Sequence, residues 1–236
     1  MRRFISFFTL LLVLASTSHA QAKQAALYAA MAPAEQYLIA NPENEIALAR
    51  SAAPPAISAD ADVLVLGTHG YQTAVKGKNG FVCFVERSWT ANFGNPEFWN
   101  PKLRAPNCFN PPAVRSVLPQ YLKRTEWAMA GLSEQQISEK ARSAFMDQTF
   151  TAPDPGSLSY MLSKDGYVSD QAAGPWLPHV MFFISYGQAA AWGAGVAGSP
   201  ILAQAGSDFE PTVLFIPVRR WSDGSPAPPP ADLHTH

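Results

Sequence analysis

The rhythm of apolar and polar positions changes several times along this chain. From Gln24 to Ile39 the residues are Ala, Leu, Gln and Glu in mixture, which predicts helix with an interruption near Pro33. Proline is tolerated in a first turn, so a second helix can begin there. Asn41-Pro42-Glu43-Asn44 restarts a helix that runs to Arg50, with acids early and a base late as the helix dipole favours. Pro54-Pro55 ends it.

The period then shortens toward two. Asp62 to Gly67 is a β-branched and leucine run. Tyr71 to Lys76 and Phe81 to Arg87 flank Gly77-Lys78-Asn79-Gly80, and two β-prone runs around an Asn-Gly turn predict a hairpin. In the second run Phe81, Cys83 and Val85 share one face, while Val82, Phe84 and Glu86 share the other. Both faces are largely apolar, so this strand is expected in the sheet interior. Ser88 to Pro112 lacks periodicity and reads as a long loop dense in Asn, Pro and aromatic residues, of a length that often signals function or pinning.

Helical spacing returns from about Ala113 to Met129, with Val114, Val117, Leu118, Tyr121, Leu122 and Trp127 on one buried face. Gly131 stops it. Ser133-Glu134-Gln135-Gln136 forms a capping box, with Leu132 and Ile137 as its staple, and the next helix should reach Met146. Leu158 to Ser163, His179 to Tyr186 and Thr212 to Val218 read as strands. Gln188 to Gln204, rich in Ala and Gly, has no clear pattern. From Asp223 onward the Pro-rich stretch reads as an extended or disordered tail. Strands before and after a helical pair, without βαβ alternation, predict an α+β fold. Its expected form is a mixed or mainly antiparallel sheet with that helical pair packed on it and a helical segment at the N-terminus.

The start of the chain changes the picture of where it works. Met1-Arg2-Arg3, the apolar run Phe4 to Leu14 and the small residues around Ser18-His19-Ala20 have the three parts of a cleavable export signal. That run is too short to span a bilayer, which takes about 20 residues. The expected organisation is a signal over residues 1–20, one α+β domain over 21–222 and a tail over 223–236. Periplasmic or secreted location follows, with no membrane insertion after cleavage. Cleavage removes Arg2 and Arg3 and leaves a formal charge of −3. Such a balance offers none of the basic surface that nucleic acid requires.

An oxidising compartment gives the two cysteines, Cys83 and Cys108, their expected partner in each other. The competing reading is a nucleophilic Cys83 beside a histidine. Outside the tail residues His234 and His236, the mature chain has His69 and His179. If their strands are neighbours, His69, His179 and Glu86, or Asp165 in its place, could hold a divalent metal. No local ligand spacing supports such a site, and a hydrogen-bonded structural histidine is the alternative. No cofactor is otherwise implied.

The aromatic loop offers a ligand surface: Trp89, Phe93 and Trp99, with Arg104 for an anionic end and His179 nearby. The opposing reading is that these rings roof the sheet. No Gly-x-Ser-x-Gly elbow exists, and Gly193-Ala194-Gly195-Val196-Ala197-Gly198 lacks the strand that a dinucleotide motif needs.

Asn79-Gly80-Phe81-Val82-Cys83, Pro178-His179-Val180-Met181-Phe182-Phe183 and Pro217-Val218-Arg219-Arg220-Trp221-Ser222-Asp223-Gly224 resemble segments of exported bacterial proteins of unknown function. The resemblance implies a bacterial origin and a periplasmic or secreted location, and brings no activity or catalytic residue. The functional expectation is a non-catalytic domain that binds a small molecule or a protein partner. The alternative is a metal-assisted or His-dependent hydrolase.

Overall fold

The computed structural model describes residues 28–171, 177–204, 206 and 209–228. The expected export signal, the start of the N-terminal helical segment and the tail histidines lie outside the described residues. Among the described residues no helix is long and apolar enough to cross a membrane.

The fold is α+β, built on an eight-stranded sheet. Its strands are β1 (Asp62–Gly67), β2 (Gly70–Val75), β3 (Val82–Glu86), β4 (Ala105–Phe109), β5 (Leu158–Met161), β6 (His179–Ile184), β7 (Leu202–Gln204) and β8 (Thr212–Pro217). They lie in the order β2-β1-β3-β4-β5-β6-β8-β7. Every join is antiparallel except β1 with β3.

The hairpin expected around Asn79-Gly80 does not form. Instead β2 folds back on β1 through Thr68-His69, and β1 lies between β2 and β3. The reason is burial. Val63, Leu64 and Leu66 of β1 are buried, whereas Gln72, Thr73 and Ala74 of β2 are exposed, so the more apolar strand takes the inner position. The Asn-Gly segment serves as a crossing. The Asp60 carbonyl accepts from the Lys78 and Asn79 amides at 2.7 and 3.3 Å, and the Asn79 side chain donates to Ile57 O at 2.7 Å.

The N-terminal segment is less helical than expected. A single 3₁₀ turn, Ala34–Tyr37, follows an extended Pro33, and proline also pushes the residue before it away from helix. Tyr37 anchors this stretch: its hydroxyl accepts from the Ala32 amide and donates to Trp99 O at 2.8 Å. Helix α1 (Pro42–Arg50) forms as expected, with the Asn41 side chain accepting from Glu43 N at 2.9 Å. A short α2 (Pro55–Ser58) leads into β1.

The helix expected over 113–129 is two: α3 (Pro111–Ser116) and α4 (Leu118–Met129), broken at Val117. Pro119 is confined to the first turn of α4 because it has no N–H for a continuous ladder. Helix α5 (Glu134–Met146) begins with the expected reciprocal bonds between Ser133 and Gln136.

Side-chain alternation sorts the core into two layers. Leu64, Phe84, Phe109, Met181 and Phe183 pack under α3 and α4 with Val117 and Leu118. On the opposite face Val63, Cys83, Val85 and Cys108 pack with Ala49, Ala52 and Ala53. Cys83 and Cys108 are directly opposed on β3 and β4 and form the expected disulfide. Two stretches differ from expectation, and a third, which had no clear pattern, gains a strand. The long loop contains β4, the Ala/Gly-rich stretch contains β7, and Asp223 to Pro228 turn back onto the fold instead of trailing away. There Lys164 pairs with Asp223 at 2.6 Å, and the Ala227 amide donates to Arg219 O at 2.9 Å.

Candidate functional site

Strand geometry points one row of side chains from each strand toward α4. Pairing of Glu86 with Ala105, Ser159 with Met181, and Met181 with Phe215 places Glu86, Ala105, Met181 and Phe215 on that face. His179 and Met161 follow by their own pairing, and Gln204 by pairing with Val213. The small side chain of Ala105 opposite Glu86 leaves space above the sheet. Tyr121 of α4 and the segment Thr90 to Asn95 close over it.

The result is a cavity of about 220 Å³. Its wall is apolar over Leu103, Ala105, Met161, Val168, Met181, Val213 and Phe215, and polar at Glu86, Thr90, Asn92, Asn95, His179 and Gln204. Pockets of this composition, mostly apolar with a few converging polar groups, are the usual form of a small-ligand site.

Glu86 is the carboxyl on that wall. Its carboxylate accepts from Thr90 Oγ1 at 2.9 Å and from Asn107 Nδ2. Burial pushes the carboxyl up to about 7, against the opposing pull of those two hydrogen bonds and of the Arg124 charge. Arg124 itself donates to Ala91 O and to Glu210 at 3.4 Å, with its guanidinium 4.2 Å from the Phe93 ring centre. Among the described residues Glu86 has no ion pair. His179 stands elsewhere on the wall. Its Nδ1 lies 2.9 Å from Leu177 O, which assigns the proton to Nδ1 in the neutral ring. Burial lowers its pKa, and the Leu177 carbonyl opposes that shift.

The expected aromatic ligand surface is a packing layer. Trp89 is fully buried, 4.8 Å from the Tyr37 ring, and donates through Nε1 to Thr125 Oγ1 at 3.0 Å. Trp99 is buried edge-on to Phe98 at 4.8 Å. Phe93 stacks between Phe98 and Phe209 at 5.8 and 6.0 Å. Arg104 donates to the carbonyls of Pro101, Leu103 and Gln36, so it ties the loop to the N-terminal segment. Of the five residues assigned to that surface, His179 is the one on the cavity wall.

The metal expectation fares no better. Glu86 and His179 share the cavity, but His69 lines a separate depression with Gln72, Leu122 and Glu126. Among the described residues no group of three or more His, Cys, Asp and Glu side chains is placed to hold a metal ion. The disulfide also removes Cys83 as a thiol nucleophile.

Sequence reasoning put Glu86 on the correct face but missed Met181, Val213, Phe215 and Gln204 as further parts of the same cavity wall. The available signal was an acid ending the apolar row Val82, Phe84, Glu86. Comparison with family models, curated proteins and solved structures returned no match to this chain.

Proposed function

We propose that this chain is an exported bacterial protein that binds a small molecule in the cavity between the sheet and α4, without chemistry on it. The observation that carries the reading is Glu86, a buried carboxyl held by Thr90 and Asn107 on the wall of an otherwise largely apolar chamber. A structural acid is normally buried against a cation, as Glu45 is against Arg87; Glu86 faces open volume instead. The disulfide suits an oxidising compartment, and the charge balance suits a partner other than nucleic acid.

The test is methyl NMR of the oxidised protein titrated with benzyl alcohol, a probe small enough for the chamber. Shifts should concentrate on the Met161 and Met181 methyl groups and vanish in Val213→Trp, which fills the space. Shifts elsewhere only, or unchanged in the filled variant, would overturn the reading.

A His-dependent hydrolase is the second reading, favoured by a carboxyl titrating near neutrality in the same cavity as a histidine. Replacing His179 with Gln separates the two. Hydrolysis of small esters, abolished in a variant of near-normal stability, would establish the catalytic reading.

A further inference from the structure

Resting on the cavity reading above, we infer that the site selects a small organic cation, an ammonium or amidinium group on a compact apolar body, with the Glu86 carboxylate as its counter-ion.

The argument begins with what surrounds Glu86. Asn107 Nδ2 donates to Glu86 Oε1, and the single Thr90 hydroxyl proton lies between Glu86 Oε2 at 2.9 Å and Arg87 O at 2.8 Å, so the ionised carboxylate has at most two protein donors. A carboxylate has about four lone-pair sites, and two donors leave capacity for a third. Among the described residues on the cavity wall there is no Lys and no Arg, and Glu86 is the sole acid.

The charged and titratable groups that face Glu86 from neighbouring elements supply no contact cation. From α4 come Tyr121, whose ionisation burial suppresses, and Arg124, which is spent on Glu210, Ala91 O and the Phe93 ring. From β6 comes His179, held neutral by burial. Tyr71 of β2 donates to Val85 O. Arg87, the residue after β3, pairs with Glu45.

A carboxylate removed from water without a counter-ion carries a penalty of several kcal/mol. A proton relieves it in the empty protein, and a bound cation relieves it better, because it adds Coulomb attraction in a medium of low dielectric. An anion would meet repulsion from the ionised carboxyl, and a neutral ligand, seated beside the protonated form, would gain no such attraction. The apolar wall sets the rest of the ligand: Met161 and Met181 adapt to irregular shapes, and Val213 and Phe215 supply a rigid side. Uptake of the cation then drives the proton off Glu86, so binding strengthens as pH rises through neutrality.

The experiment compares three ligands of one shape and three charges, benzylammonium, benzyl alcohol and benzoate, by calorimetry on the oxidised protein. Titrations at pH 7 in buffers of different ionisation heat count the protons released. The expected result is that benzylammonium binds at least about tenfold more tightly than benzyl alcohol, and that benzoate is rejected. It should also release roughly half a proton at pH 7, and its advantage should disappear in Glu86→Gln. Equal binding of the alcohol, binding of benzoate, or no proton release in the wild-type protein would overturn the cation class while leaving the cavity reading intact. Failure of all three ligands to move the Met161 and Met181 methyl resonances would overturn both. The proton count needs no variant, so a poorly folded Glu86→Gln protein does not blunt the test.

Discussion

Arg87 Nη2 donates to Glu45 Oε1 at 2.8 Å, and both side chains are sealed from solvent. The same guanidinium donates to Tyr37 O at 2.7 Å and to Val85 O, and Glu45 also accepts from the Leu66 amide. One ion pair therefore joins α1, the N-terminal segment and two strands. Replacing Arg87 with Leu leaves a buried carboxylate unpaired and should cost about 3–5 kcal/mol. Glu45→Leu combined with Arg87→Leu should recover part of that. Urea denaturation of the two single variants and the double variant reads both numbers. A double variant no better than the worse single one would show that the two groups do not act as a pair.

The Cys83–Cys108 bridge closes a loop of 25 residues between strands already paired. Replacing both cysteines with Ala should lower stability by roughly 3 kcal/mol through the freer unfolded chain. The cavity should survive, because Glu86 and Asn107 lie on the other face of the same strands. Urea midpoints with benzyl alcohol present and absent test both statements.

Glu86 gives stability a specific pH dependence. Its carboxyl titrates near 7 in the folded protein and at its ordinary lower value when unfolded, so the native state holds the proton more tightly. Stability from this group is full below the unfolded value and is lost as pH rises through about 7. His179 acts in the opposite sense, since its lowered pKa makes stability fall as pH drops below the ordinary histidine value. The comparison that isolates Glu86 is therefore the difference between Glu86→Gln and wild type. The variant should gain on the wild type between pH 5 and 8, by a few kcal/mol at the alkaline end. A difference that does not change with pH would contradict the burial of this carboxyl.

Two glycines of the β2–β3 crossing should respond unequally to alanine. A Cβ on Gly77 would stand 2.1 Å from Asp60 O, a backbone atom that cannot swing aside. Gly80, at φ +76°, meets only the Pro111 ring at 3.2 Å and carries the ordinary left-handed penalty of about 1–2 kcal/mol. Gly77→Ala should be the more damaging in thermal denaturation, and the reverse order would mean the crossing relaxes easily.

Elements governed by local chemistry were legible in the chain. The cap at Asn41, the capping box at Ser133 and the apolar row of β6 all form where their residues indicate. What escaped depended on partners far away in sequence. The Asn79-Gly80 turn has hairpin chemistry, but the competition between β1 and β2 for the buried position is decided by Val63 and Leu66. Strand β4 hides behind Pro106, which has no N–H to give a ladder, and it forms because Val85 and Cys83 are paired beside it. The site followed the same division. The face of Glu86 was readable from alternation, whereas the wall around it is assembled from β6, β7 and β8 by pairings that no local pattern encodes. Aromatic density drew attention to Trp89 and Trp99, and such density more often marks core than ligand.

The strand order β2-β1-β3-β4-β5-β6-β8-β7 has a consequence for synthesis. A chain that arrives N-terminus first can lay each strand down at the free edge of those already placed: β3 against β1, then β4, β5 and β6 in turn. No strand has to be threaded between two others. β7 alone waits, because its partner β8 is made after it. Docking of β8 and β7, which adds Val213, Phe215 and Gln204 to the cavity wall, is then the last act of assembly. The chamber comes into being only once nearly the whole chain has been delivered.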